Sequence, residues 1–227
     1  MKQTIGSILK AKNNRKLTVI TAYDALFAKL FDEEVDIILV GDSLNMSFAG
    51  ENDTLSATLE QMIYHTKAVC SGAKNSFIIC DMPFGTYSNE QKALKNCIKV
   101  FQKTNADAVK IEGGKEKAHI IKTLTSNSIA VCGHIGLMPQ NVRSEGGYKV
   151  KGKDEANITS LIEDARAIEA AGAFAIVLEG VKEDAAKIIS EAISIPTIGI
   201  GAGSYTDGQV LVWSDMLGFL HGNYPKF

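Results

Sequence analysis

Eight short runs of β-branched and apolar residues recur along the chain, separated by stretches of helical character, and this alternation limits what the chain can fold into. The runs are LTVITAYD (17–24), DIILVGDS (36–43), SFIICDMPF (76–84), AVKIEGG (108–114), IAVCGHIGL (129–137), AFAIVLEG (173–180), PTIGIGAG (196–203) and VLVWSDMLGF (210–219). They are near-continuously apolar, as parallel strands covered on both faces are. Between them, residues 25–34, 56–69, 156–171 and 182–192 carry apolar side chains at helical spacing. Ser88 and Gln91 predict a capping box ahead of KALKNCIKVFQK. Strands alternating with helices predict a parallel sheet, and eight such units favour a closed α/β architecture, the (β/α)8 TIM barrel, over an open doubly wound sheet. At 227 residues the chain reads as a single domain over 1–227, at the low end of the size range for a barrel. It stops at NYPKF soon after the eighth run, with no eighth helix. The final helix is then dispensable, replaced by a neighbour, or part of a longer chain.

A formal net charge of -2 and the lack of a basic stripe argue against nucleic acid as a partner. The N-terminal MKQTIGSILKAKNNRK lacks the apolar core of a secretory signal, and no apolar run approaches the ~18 residues needed to span a bilayer. The expected location is the cytoplasm, with no membrane partner. Cys70, Cys80, Cys97 and Cys132 contain no C-x-x-C pair and read as free thiols, Cys80 and Cys132 as small buried hydrophobes.

In such a barrel the chemistry sits at the C-terminal ends of the strands. Those ends are rich in polar residues: Asp42 and Ser43 after the second run, Asp81 after the third, Lys110 and Glu112 in the fourth, His134 in the fifth and Glu179 in the sixth. Neighbouring strands lie roughly 4.8 Å apart, so Asp42, Asp81 and Glu112 can converge. An oxygen-rich set without cysteine suits a hard cation such as Mg²⁺ and does not suit zinc. Lys110 and Glu112 are two apart and share a face, with Ile111 turned the other way. A lysine pointing inward there needs the acids or a bound carboxylate to pair with it.

Each of these residues also has a structural reading. An Asp at a strand end often caps a helix, yet neither SLNMSFAG after Asp42 nor MPFGTYS after Asp81 starts one at once. Glu179 can cap the helix near Lys182, and Lys110 with Glu112 can be an ion pair alone. All of these must hold together to remove the site. GIGAG (199–203) suits a phosphate or the approach of a planar group, and is not a dinucleotide fingerprint. The polar segment 138–153 is a long loop of the functional or mobile kind. His65, His119 and His221 read as surface or incidental.

TAYD (21–24), VGDSL (40–44), VKIEGG (109–114), CGHIGL (132–137), GGYKV (146–150), LEG (178–180), IGIGAG (198–203) and DGQVLV (207–212) resemble, in order and spacing, the ketopantoate hydroxymethyltransferase family. The resemblance implies transfer of a one-carbon unit from 5,10-methylenetetrahydrofolate to 3-methyl-2-oxobutanoate, giving 2-dehydropantoate. It implies one Mg²⁺ per subunit and a homo-oligomer, a decamer. It assigns Asp42, Asp81 and Glu112 to the metal, Ser43, Lys110 and His134 to the substrate together with the two aspartates, and Glu179 to proton removal. Family members continue through further helices after PKF. The chemistry these assignments imply is a 2-oxo acid chelating Mg²⁺, loss of its C3 proton to Glu179, and attack of the stabilised enolate on the folate methylene. The rival readings are another Mg²⁺-dependent 2-oxo acid barrel, such as a lyase of the phosphonopyruvate or isocitrate type, and a non-catalytic binding or assembly subunit. The first would commonly need a catalytic Cys or acid on a mobile loop, where GGYKVKGK offers Tyr and Lys. The second gives no reason to keep four acids at one mouth.

Overall fold

The computed structural model describes residues 1–219. Its eight parallel strands close in sequence order into a barrel: β1 (Leu17–Thr21), β2 (Ile37–Val40), β3 (Phe77–Asp81), β4 (Ala108–Glu112), β5 (Val131–Gly136), β6 (Ala175–Glu179), β7 (Thr197–Ile200) and β8 (Gly208–Leu211). Closure comes from β1 against β8, with Leu17 opposite Gly208 and Ile20 opposite Leu211. Helices Ala25–Phe31, Leu59–Gly72, Glu90–Lys103, Ala118–Ser126, Glu155–Ala170 and Glu183–Ala192 join successive strands.

The strand period of two sorts the side chains into two cores. Ile38, Ile78, Val109, Ile111 and Ile176 turn outward onto the helices. Leu17, Ile37, Leu39, Phe77, Ile79, Cys132 and Val177 fill the barrel interior. That interior is sealed below by Ile8 and Ala11, from the short helix Ile5–Leu9 and the turn after it. The inward series therefore run Phe77, Ile79, Asp81; Ala108, Lys110; and Cys132, His134, with apolar residues deep and ionisable ones at the C-terminal mouth. All four cysteines are free, with Cys80, Cys97 and Cys132 buried.

Two boundaries differ from the sequence expectation. The eighth run does not continue as a strand to residue 219: β8 ends at Leu211, and Trp213–Met216 turns helical. The Trp213 N–H there donates to Thr21 Oγ1 at 3.1 Å rather than to a strand ladder. The helix after β3 is capped by Asn89, not Ser88: Asn89 is extended and its side chain accepts from the Lys92 N–H at 2.9 Å. His221 lies outside the described residues. Among the described residues, no helix is long and apolar enough to cross a membrane.

Candidate active site

The strand ends open onto a cavity of about 400 Å³ lined by Asp42, Ser43, Asp81, Lys110, Glu112, His134 and Glu179 among others. All seven residues singled out from the sequence thus face one space. Strand register explains this. Asp81 sits opposite Lys110, Glu112 opposite His134, and Gly136 opposite Glu179. The backbone at Gly136 has φ +100°, and a Cβ there would lie 2.3 Å from the Glu179 carbonyl oxygen, so only glycine lets β5 pass this close to the strand carrying the carboxylate. The Leu137 N–H donates to that carbonyl at 2.7 Å.

Lys110 is the hub. Its Nζ is 2.9 Å from Asp81 Oδ1, 3.7 Å from Glu112 Oε1 and 3.1 Å from His134 Nδ1. His134 Nδ1 is 3.6 Å from Glu112 Oε1, and Nε2 is 3.3 Å from Glu179 Oε2. The Asp42 N–H donates to Asp81 Oδ2 at 3.4 Å. Ser43 Oγ lies 2.9 Å from the Tyr23 hydroxyl. Asp42, Asp81, Lys110, Glu112 and His134 are each at most 4% exposed, whereas the Glu179 side chain is 25% exposed at the mouth.

Burying this much charge together distorts its titration. Burial, then the Asp81 and Glu112 charges, push the Asp42 carboxyl well above the ordinary range. Burial also raises Asp81, with Lys110 opposing it. Glu112 goes the other way: burial pushes it up, but Lys110 and His134 outweigh burial. Burial would lower Lys110, yet the Asp81, Glu112 and Asp42 carboxylates hold it above the usual lysine value. Burial and Lys110 oppose protonation of His134, while Glu112 and Glu179 raise it to about 9.

These residues fit a divalent cation of the hard, oxygen-seeking kind. Three buried carboxylates face a single lysine and one imidazole, and the raised Asp42 and Asp81 mark the uncompensated negative charge that such an ion relieves. Among the described residues, no three His, Cys, Asp or Glu side chains already form a cage for a metal. Mg²⁺ does not require one, since it commonly takes one or two carboxylates and leaves its other positions to water and substrate oxygens. Among the described residues, Asp42 Oδ1 accepts no hydrogen bond. Glu112 instead has other partners, its Oε2 accepting from the Gln140 N–H at 3.2 Å.

Several features depart from the readings of single residues or escaped them. Against the expectation that no helix starts at once after Asp42, the short helix Leu44–Ser47 begins directly after Ser43; neither it nor the helix after Lys182 has a side-chain cap, so Asp42 and Glu179 cap neither. His65 is not incidental, for it is half-buried with Nδ1 2.7 Å from the Tyr23 carbonyl oxygen, while His119 is exposed. In GIGAG, Gly203 has φ +74° and packs on Glu183, which accepts from the Ser204 N–H at 3.0 Å, so the chain's own packing accounts for that glycine. The segment 138–153 contains a turn of 3-10 helix (Pro139–Asn141) and a short helix (Val142–Glu145). Arg143 ties it to Asp53 at 2.9 Å. Gln140, Tyr23 and Tyr87 were not singled out from the sequence, although each makes a polar contact with a site residue or with another of this group. The only sequence signal for Gln140 was its position in the loop directly after the fifth run.

A profile of the ketopantoate hydroxymethyltransferase family matches residues 2–227. The 3-methyl-2-oxobutanoate hydroxymethyltransferase of Aliarcobacter butzleri is 71% identical over 100% of this chain and 84% of its own length. That of Sulfurimonas denitrificans is 66% identical over 100% of this chain and 86% of its own. Among solved structures, a putative phosphonomutase from Burkholderia cenocepacia superposes with a TM-score of 0.73 at 13% identity, covering 95% of this chain and 94% of that one. At that identity the likeness speaks for the barrel alone.

Proposed function

The chain belongs to the ketopantoate hydroxymethyltransferase family, and from that premise we propose that it transfers a hydroxymethyl group from 5,10-methylenetetrahydrofolate to C3 of 3-methyl-2-oxobutanoate, giving 2-dehydropantoate. It is an enzyme of the transferase class. The observation that carries the finer reading is the division of one mouth into two walls. Asp42, Asp81, Lys110 and Glu112 stand on the β2–β4 side, and Glu179 with His134 on the β5–β6 side.

A 2-oxo acid fits between such walls. Lys110 supplies the fixed positive charge for its carboxylate, and Ser43 and His134 offer hydrogen bonds to its oxygens. Mg²⁺ held by Asp42 and Asp81, with Glu112 alongside, would supply Lewis acidity at the keto oxygen. Glu179 is the base: its Oε2 takes the C3 proton, with His134 Nε2 3.3 Å away as a neighbouring positive charge that makes no hydrogen bond to it. Being 25% exposed, the Glu179 side chain can return that proton to solvent. The electron pair left at C3 forms the new C–C bond to the folate methylene carbon as both of its C–N bonds break; water supplies the hydroxyl oxygen, and the two freed nitrogens take up one proton from that water and one from solvent, which balances the C3 proton released. We further propose, from the family resemblance, a cytoplasmic homo-oligomer of ten chains; light scattering on the purified protein tests the number of chains.

The test of the reaction is to supply the protein with both substrates and Mg²⁺ and follow 2-dehydropantoate by mass spectrometry. Folate-dependent formation of that product is expected. Cleavage of a 2-oxo or malate-type acid without folate would overturn the proposal in favour of a lyase.

A further inference from the structure

One buried amide ties together three of the strand ends that carry the acids. Gln140 is 5% exposed, in the 3-10 turn Pro139–Asn141 that follows β5. Its Nε2 donates to Asp42 Oδ2 at 2.9 Å, after β2, and to the Met82 carbonyl at 3.0 Å, after β3. Its backbone N–H donates to Glu112 Oε2 at 3.2 Å, at the end of β4. Its Oε1 accepts from the Tyr87 hydroxyl at 2.5 Å.

These partners leave the amide one orientation. Both Nε2 hydrogens are taken by acceptors, and Oε1 faces a donor. A flipped amide would set Oε1 against two acceptors, Asp42 Oδ2 and the Met82 carbonyl, and take from Oε1 the Tyr87 hydroxyl that donates to it. Tyr87 is itself buried at 6% exposure.

We infer that Gln140 is a positioning residue for the cation: it claims Oδ2 of Asp42, leaves Oδ1 for the ion, and keeps Glu112 beside the pair. The inference rests on the proposed metal-dependent reading of the site. Groups that orient metal ligands typically contribute 10–100-fold in metal affinity or activity. A side chain that merely filled space would contribute to folding and leave the affinity alone.

The experiment uses Mn²⁺ as the probe, counted as free ion by electron paramagnetic resonance, with no substrate present. Gln140→Met keeps the length and burial of the side chain and removes its amide, while the backbone N–H to Glu112 stays. It is expected to weaken Mn²⁺ binding by about 10–100-fold. Tyr87→Phe removes only the hydroxyl that orients the amide, so it should weaken binding in the same direction by less, and it carries the test if Gln140→Met does not fold. Thermal melting of the metal-free proteins is recorded alongside. Wild-type affinity in both folded variants, with or without a lower melting temperature, overturns the inference and leaves the metal reading intact. Failure of the wild-type protein itself to bind Mn²⁺ overturns the metal reading and the inference with it.

Discussion

Replacing Asp207 by Ala tests the division of labour between the two ends of the barrel. Asp207 opens the DGQVLV segment and lies just before β8, at the end of the barrel opposite the carboxylate cavity. Its Oδ2 is 2.8 Å from Lys12 Nζ, with both side chains only 9% exposed, and accepts from Thr197 N at 2.9 Å and Thr197 Oγ1 at 3.0 Å. Removing one partner of a buried ion pair strands the other, a cost of about 3–5 kcal/mol. For a chain of this size each kcal/mol moves the melting temperature by about 2–4 °C, so a fall of roughly 6–20 °C is expected in thermal unfolding followed by circular dichroism. Burial alone would raise the Asp207 carboxyl, but Lys12 and Thr197 outweigh it and hold it below the ordinary value. A lowered carboxyl contributes stability that is complete above the unfolded value of about 3.9 and is lost as the pH falls through the folded one. The gap between wild type and variant should therefore be full at neutral pH and narrow below about pH 4. Adding Lys12→Met removes the stranded charge and should recover part of the loss. Proton exchange on the 2-oxo acid, measured below the melting range, should be unchanged. A shift of under about 2 °C, or a double variant less stable than Asp207→Ala, would mean that no stranded charge is left at Lys12.

Two further outcomes follow from the site and the core. Gly136→Ala forces a Cβ to 2.3 Å from the Glu179 carbonyl oxygen at φ +100°, so turnover should fall by about 10–100-fold, the scale expected for a misplaced catalytic group, with the 2-oxo acid still bound by calorimetry; undiminished turnover would separate the β5–β6 contact from the chemistry. Burial raises the Cys80, Cys97 and Cys132 thiols to about 12, so iodoacetamide should leave all three unmodified in the folded protein and label them in urea; fast native labelling of any of them would contradict the packing described.

The features legible in the sequence were those that depend on strand periodicity. Lys110 and Glu112 face the cavity and Ile111 faces the helices because alternation on a strand admits no other arrangement. The acids gather at one mouth because parallel strands all end on the same side. What escaped lies where no period applies. Gln140 sits in an irregular turn, where the sequence does not tell which side chain points inward. Asn89 rather than Ser88 caps its helix because the choice between adjacent polar residues depends on which adopts the extended backbone. The sequence overextends the eighth strand because VLVWSDMLGF stays apolar past Leu211, whereas the Trp213 N–H bonds to the Thr21 hydroxyl, distant in sequence, instead of to a ladder.

Under the proposed function, Glu179 removes the C3 proton of a 2-oxo acid held in the mouth of the barrel. Nuclear magnetic resonance of 3-methyl-2-oxobutanoate in D2O reads that step directly, without folate. Wild-type protein should wash out the C3 proton signal only when Mg²⁺ is supplied. Glu179→Gln should still bind the acid but lose exchange by about 100–10,000-fold, the usual contribution of a positioned base. Exchange that persists in Glu179→Gln would remove Glu179 from the role, and no exchange by the folded wild-type protein with Mg²⁺ present would mean that the barrel does not enolise this acid.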